Sequence, residues 1–296
     1  MVVLACLFAG GEWFYHTQRE YLKREERDKL TAVAQLKLDQ IAGWREERLG
    51  DAAVLMDSPF FVLGVSRWLA DRRAGDAAYI RSRFDSLRKS YGYYDMLLAD
   101  PDGNVLLSLR GYSGRLHEQA YADFAAAIRS RTPALSDLHA GPGALPPHVD
   151  VIAPLFDPGT REPVGAVILQ SDAGAFFYPL VQSWPAPSRT AETLLVRREG
   201  DQVLFMNELR HRPDPALNLR IPLSRTDLPA VMAVLGGEGF VQGTDYRGVE
   251  VLAVLEQVPG FSWFMVAKVD AAEALAFMRL QSNLILALLL VLAALV

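Results

Sequence analysis

Val167-Ile168-Leu169-Gln170-Ser171-Asp172 and Phe264-Met265-Val266-Ala267-Lys268-Val269-Asp270 are two apolar runs that each close on an aspartate. Both read as strands, and each leads into a helix-forming stretch, 173–177 after the first and 271–277 after the second. Upstream of both endings the same order of elements appears, displaced by about one hundred residues. In the first copy, β-type runs at 93–99 and 104–109 flank Asp100-Pro101-Asp102-Gly103, a combination that favours a tight turn and so a hairpin. A helical stretch at 118–129, with alanines and Phe124 on one face, is stopped by Pro133. Two further strands, 149–156 and 164–170, join through a polar turn at 157–162. The second copy has strands at 194–196 and 203–206 around Glu199-Gly200-Asp201, then a helix at 228–235 stopped by Gly236 and Gly237. Its closing pair is 249–255 and 261–269, with Pro259-Gly260 at the turn. The pattern predicts an α+β fold with two antiparallel sheets, each built as hairpin, helical crossover and hairpin.

Before the first copy lies a stretch with no proline until Pro59. Leu30, Ala34, Leu38, Ile41, Leu49, Ala52 and Met56 recur there at steps of three and four, which predicts one long helix from about residue 13 to about residue 70. Mixed charges such as Arg19, Glu20, Lys23 and Arg24 cover its other faces. A second helix is expected at 77–89. So long an apolar stripe needs a partner, and the expectation is that both the rest of the chain and a second copy pack along it, giving a homodimer through this helix. The segment 176–192, with Tyr178, Pro179, Trp184, Pro185 and Pro187, is too apolar for a free linker and reads as a packed junction.

Residues 1–9 are apolar and are followed by Trp13, Phe14 and Tyr15, an aromatic cluster of the kind found at a membrane surface. Residues 283–296 are apolar without interruption. Each run is shorter than the roughly 20 residues a bilayer requires, so both are expected to be transmembrane helices that continue past the ends of this chain. The predicted organisation is therefore 1–12 as the first membrane segment, 13–75 as the membrane-rooted helix and 76–177 as a distal module. Residues 178–191 form the junction, 192–270 a proximal module, and 271–296 an exit helix with the second membrane segment.

Of the 296 residues, 51% are hydrophobic and 22% charged, enough for a large core, and the net charge of −5 with no basic stripe argues against nucleic acid. The single cysteine, Cys6, lies in the first apolar run, so the body carries no disulfide, which suits an extracytoplasmic compartment. Catalytic signatures are missing: there is no phosphate-binding loop, dinucleotide fingerprint or His-Glu-x-x-His, and Gly111-Tyr112-Ser113-Gly114 is no nucleophile elbow. His139, His148 and Asp150 are conceivable metal ligands, but the Gly141-Pro142-Gly143 loop between them gives no recognised spacing. No enzymatic activity, metal or cofactor is expected.

This order of membrane segment, long helix, two PAS-like modules and second membrane segment resembles the double Cache sensor domains of bacterial receptors. Leu97 to Gly103 matches the first hairpin, Val151-Ile152-Ala153-Pro154-Leu155 the fourth strand, and Gly165 to Asp172 the last strand of the distal module. The resemblance covers nearly the whole chain. It implies the periplasmic small-molecule sensing part of an inner-membrane receptor, of histidine kinase, diguanylate cyclase or chemoreceptor type. The distal module would hold the ligand and the proximal one would relay to the second membrane helix. Members that bind amino acids typically carry Arg-x-Trp-Tyr after the second strand, a tyrosine upstream and an aspartate ending the last strand. Here the matching segment, Arg110 to His117, has no Trp-Tyr pair, whereas Asp172 is in place. The implied ligand is thus a small polar or anionic molecule, with no commitment to a free amino acid.

The residues themselves offer Arg110, Tyr112, Arg115 and His117 after the second strand, Tyr121 near the start of the covering helix, and Asp172 on the last strand. Converging between lid and sheet, their guanidinium groups would hold a carboxylate or phosphate. Asp172 equally suits a cap for a helix beginning at Ala173. Tyr94, Asp95, His148 and Asp150 are further candidates, the inward face of their strands being undetermined. In the proximal module Asn207, Arg210, His211, Asp245, Tyr246 and Arg247 read as turn and edge residues, and Trp184 and Trp263 as core or interface. A second functional reading is an extracytoplasmic module that docks a periplasmic protein and has no small-molecule pocket.

Overall fold

The computed structural model describes residues 2–141, 145–213 and 216–276, with the backbone alone at 2–9, 11, 12, 14 and 119. The expected second membrane segment, 283–296, lies outside these residues. Among the described residues no single helix is long and apolar enough to cross a membrane.

The first helix, α1 (Val2–Met56), buries the predicted stripe: Leu30, Ala34, Ile41 and Ala52 are fully covered, with Leu38 and Leu55 nearly so. Two stripe positions are charged, Lys37 and Arg48, and both are buried. Lys37 Nζ donates to the carbonyls of Leu180 (2.6 Å), Val181 (2.9 Å) and Ser183 (2.5 Å), while burial pulls its pKa down to about 8. Two expectations fail here. The helix does not run on to residue 70, because Pro59 has no N–H and crowds Ser58 out of the helical region. Ser58 is accordingly extended (φ −93°, ψ 94°), and α2 (Pro59–Asp71) leaves at 63° to α1. Nor is the stripe open to a second copy: Leu30 and Ala34 are 0% exposed and Leu38 4%, covered by the chain's own residues. The apolar side chains that α1 leaves exposed are others, among them Leu36 and Val54.

The chain divides into two compact units, one of the described residues in Met1–Gln40 and Leu180–Val296, the other Ile41–Pro179. In the latter, α3 (Ala74–Tyr91) ends at Gly92, whose φ of 73° closes the helix in the left-handed region. A six-stranded antiparallel sheet follows, made of β1 (Asp95–Ala99), β2 (Asn104–Ser108), β3 (Gly114–Arg115), β4 (Ala134–Leu135), β5 (His148–Phe156) and β6 (Pro163–Asp172). Its spatial order is β3-β2-β1-β6-β5-β4, with α4 (Glu118–Ser130) crossing between the halves. Alternation along the strands gives the sheet two apolar faces. Met96, Leu98 and Val167 pack on Phe61, Val65, Ile80 and Phe84 of α2 and α3, whereas Leu97, Ala99 and Ile168 pack on Phe124 and Ala127 of α4. β6 crosses β1 so closely at Gly165 (φ 141°) that a Cβ there would strike the Ala99 carbonyl. After Asp172 the predicted helix at 173–177 is instead a turn, and α5 (Phe177–Gln182) begins later. Asp172 Oδ1 accepts the Gly174 N–H (2.7 Å), which favours that turn.

The other unit repeats the plan with β7 (Glu192–Glu199), β8 (Gln202–Phe205), β9 (Arg220–Pro222), α6 (Pro229–Val234), β10 (Gly239–Thr244), β11 (Glu250–Gln257) and β12 (Trp263–Asp270). The spatial order β10-β11-β12-β7-β8-β9 is that of the first sheet. Register shows the repeat at single-residue level: Asp95 pairs with Gln170 as Glu192 pairs with Lys268. Leu194, Val196, Phe205, Val231 and Leu255 form the core under α6, and Trp263 is fully buried. The chain leaves β12 through the short α7 (Ala271–Ala274).

Candidate ligand-binding site

Between α4 and its sheet in the unit Ile41–Pro179 lies a cavity of about 30 Å³, room for a water or a single ion. Period-two alternation on β5 places His148 and Asp150 on the α4 side with Ile152, and an isolated antiparallel bridge sets His139 beside His148. The two imidazole rings are 4.4 Å apart. Each Nδ1 lies against a backbone carbonyl, His139 on Asp137 (2.9 Å) and His148 on Pro146 (2.8 Å). A carbonyl only accepts, so each Nδ1 carries a proton, and the Nε2 atoms are the ones left to face the cavity. Those Nε2 atoms face Asp150, at 3.7 Å for His139 and 3.6 Å for His148. The Gln170 amide donates to Asp150 Oδ1 (3.1 Å) and reaches His148 Nε2 (3.2 Å). Asp150 and His148 are 2% and 3% exposed, so these charges and dipoles act at low dielectric.

Of the expected site residues, Tyr112, His117 and Asp150 line this cavity. The guanidinium groups turn elsewhere: Arg110 stacks at 4.1 Å from the centre of the Tyr94 ring and Arg115 at 4.8 Å from that of Tyr121, both arginines being exposed. Tyr121 itself packs on Phe124 and over Gly103. Asp95 is buried on the same face but saturated, accepting from the N–H groups of Met96, Leu109 and Arg110 and from Ser108 Oγ (2.6 Å). Sequence reasoning passed over Gln170; it offered His148, which also lines the cavity, as a candidate, and set aside only the reading of His139, His148 and Asp150 as metal ligands, on spacing. The fold supplies what spacing lacked, because the 139/148 bridge gathers His139, His148 and Asp150 so that their ligand-type atoms lie within 4.8 Å of one another. The His148-x-Asp150 alternation was the available signal.

In the other unit the matching position is filled. Lys268 is fully buried, with Nζ 2.8 Å from Asp245 Oδ2 and 3.0 Å from Glu192 Oε2. Tyr246 donates to Glu192 (3.0 Å), and Arg247 pairs with Asp245 (2.7 Å) and Asp270. Burial works against the Asp245 carboxylate, but Lys268 and Arg247 outweigh it and hold its pKa below the ordinary value. Asp245, Tyr246 and Arg247 make the expected turn between β10 and β11, with Asp245 buried in it; Asn207 is no edge residue: it is 0% exposed, accepts the Leu195 N–H (2.7 Å) and donates to Glu208 O (2.8 Å). Arg210 donates to the carbonyls of Ala191 and Ser188 and, with Trp184, Thr193 and Glu208, lines an open cleft of about 580 Å³.

No protein-family profile and no curated protein matches this sequence. Solved structures do. The sensory domain of the Campylobacter jejuni chemoreceptor Tlp3 aligns over 86% of this chain and 98% of its own, at 12% identity and a TM-score of 0.61. The ligand-binding domain of the Pseudomonas aeruginosa amino acid chemoreceptor PctB in complex with L-Arg covers 85% and 97%, at 16% identity and 0.56. That of Mlp24 with asparagine covers 90% and 99%, at 15% and 0.54. The fold is the double Cache fold. At these identities the likeness is one of architecture: a long first helix and two antiparallel sheets in tandem.

Proposed function

We propose that this chain is the extracytoplasmic sensing domain of a bacterial transmembrane receptor, and that a small polar molecule binds between α4 and the sheet of the unit Ile41–Pro179. The observation that carries this reading is the buried polar group of His139, His148, Asp150 and Gln170, enclosed by a helix on a double Cache scaffold whose solved relatives hold amino acids. A buried polar cluster is costly to maintain, and a ligand that completes its hydrogen bonds is the common reason for one. The cavity as it stands holds only a water or an ion, so a small molecule would enter only with α4 displaced from its sheet, and binding would bias the position of that helix. A relay would leave through α7, where Glu273 accepts from Ser188 Oγ (2.8 Å), the Arg189 N–H (3.0 Å) and Thr190 Oγ1 (2.5 Å), tying the exit to the junction loop. The apolar termini would sit in the inner membrane and the body in the periplasm. Two copies would meet along the face of α1 carrying Leu36 and Val54. Histidine kinase, diguanylate cyclase and chemoreceptor outputs are all compatible with this arrangement.

The test is a thermal-shift series of amino acids, amines and carboxylates, since a ligand that binds only the folded state raises Tm with its concentration. Ala120→Leu fills the cavity from the α4 side and should abolish the shift while leaving the unliganded Tm near wild type. A shift that survives A120L moves the site elsewhere. A second reading, docking of a periplasmic protein, draws on Phe60 (84% exposed), Leu63 (44%) and Tyr79 (52%), an apolar patch on α2 and α3. Phe60→Glu would abolish such docking and leave the ligand shift intact.

A further inference from the structure

We propose that His139, His148 and Asp150 form a binding site for one divalent transition-metal ion of the zinc class. Three features of the cluster point to an ion. First, both imidazoles are oriented as ligands: the Asp137 and Pro146 carbonyls engage the Nδ1 atoms, leaving both Nε2 atoms directed at the same carboxylate. That is the outer-shell arrangement that fixes metal-bound histidines. Second, the Nε2 to carboxylate distances of 3.7 and 3.6 Å are too long for hydrogen bonds. They do suit two donors flanking one ion, which at bond lengths of about 2.0–2.2 Å and near-tetrahedral angles stand roughly 3.3–3.6 Å apart. Third, the cluster is buried and adjoins a cavity large enough for an ion and little else, so the Asp150 charge has no bulk water to solvate it.

The second unit shows what the fold does with this position when no ion is needed. At the register of Gln170 stands Lys268, whose ammonium supplies the positive charge from within the chain. Two imidazoles and one carboxylate favour Zn²⁺, Co²⁺ or Ni²⁺ over Ca²⁺ and Mg²⁺, which prefer oxygen ligands. On binding, the ion takes the Nε2 lone pair of His148 that Gln170 now contacts, and the amide remains on Asp150. Three protein ligands leave a fourth position open. Where the sensing reading holds, that position is available to a donor atom of the small molecule, and this last step alone rests on that reading.

The experiment is a titration of the untagged, chelator-treated 296-residue chain with Co²⁺, followed by its visible ligand-field absorption, and with Zn²⁺, followed by Tm. One equivalent of Co²⁺ should give an intense low-coordinate band, Zn²⁺ should displace it and raise Tm, and Ca²⁺ should do neither. His139→Gln and His148→Gln should each weaken Co²⁺ affinity at least tenfold, with far-ultraviolet circular dichroism confirming the fold. The wild-type spectrum is decisive even where a variant fails to fold: no band and no Zn²⁺-dependent Tm overturns the proposal, as does an equal response to Ca²⁺. A band that survives both substitutions also overturns it. Metal-free protein that responds to a small molecule but gives no Co²⁺ band keeps the sensing reading and sinks the metal. The reverse pattern keeps the metal site and sinks the small-molecule reading.

Discussion

Gln170 and Lys268 occupy the same place in two copies of one sheet, each opposite an acidic residue on the neighbouring strand, Asp95 and Glu192. Around Lys268 the chain supplies its own counter-charges: one ammonium and one guanidinium are joined with three carboxylates, Glu192, Asp245 and Asp270, and a tyrosine hydroxyl. Around Gln170 the acid next to the lid, Asp150, faces a neutral amide and two imidazoles. The difference separates a site that brings a lysine counter-charge from one that holds no lysine or arginine at hydrogen-bond distance, and on the proposed reading it is the second that takes up something dissolved.

That contrast can be broken from either side. Lys268→Met should have the largest effect, destabilising by about 3–5 kcal/mol in denaturant titrations, because buried Glu192 would lose its cation and keep only hydrogen bonds such as that from Tyr246, and buried Asp245 would keep Arg247 alone as counter-charge. Acid should attack the same cluster. Asp245 has a lowered folded pKa, so its contribution is complete above the ordinary value of 3.8 and is lost as pH falls through the lower folded value; Tm should drop there, and Asp245→Asn should flatten that slope. Gln170→Met should cost less, roughly 1–3 kcal/mol, as the amide bond to Asp150 is lost. Gln170→Lys would sharpen the comparison by importing the second copy's solution, and should remove the Co²⁺ band without unfolding the chain. The smallest effect separates Arg210 from Arg110, which both follow the second strand of their module. Arg210→Ala should cost about 1–2 kcal/mol through its two carbonyl partners. Arg110→Ala, which loses an exposed stacking contact, should cost no more than about 0.5–1 kcal/mol, and an Arg110→Ala variant that abolished ligand response would return the arginines to the site.

The repeat, both hairpins and the α1 stripe were legible because each rests on a local period that one sheet face or helix face imposes. The charged members of that stripe were not, since Lys37 and Arg48 look like solvated residues until carbonyls on α5 and that of Tyr91 come to meet them. The same blindness hid the site. Arginines were expected inside because their chemistry suits anions, yet neighbouring Tyr94 and Tyr121 rings offer them an exposed resting place. His139 was set aside because its partner lies across a folded loop, a juxtaposition that only the bridge to His148 creates. Gln170 could have been found by aligning the two modules on their closing aspartates, which puts it opposite Lys268.

The exit through α7 has a mechanical side. One carboxylate, Glu273, carries three donors from a single loop, 188–190, and Thr190 also accepts the Asp270 N–H (3.1 Å). Tension applied along the outgoing chain would meet this four-bond latch before it loaded the ladder between β12 and its neighbours. In a pulling experiment the first rupture should therefore be short and lie at the latch, with the sheet intact behind it, and Glu273→Gln should lower that first force without changing the force that unzips the strands.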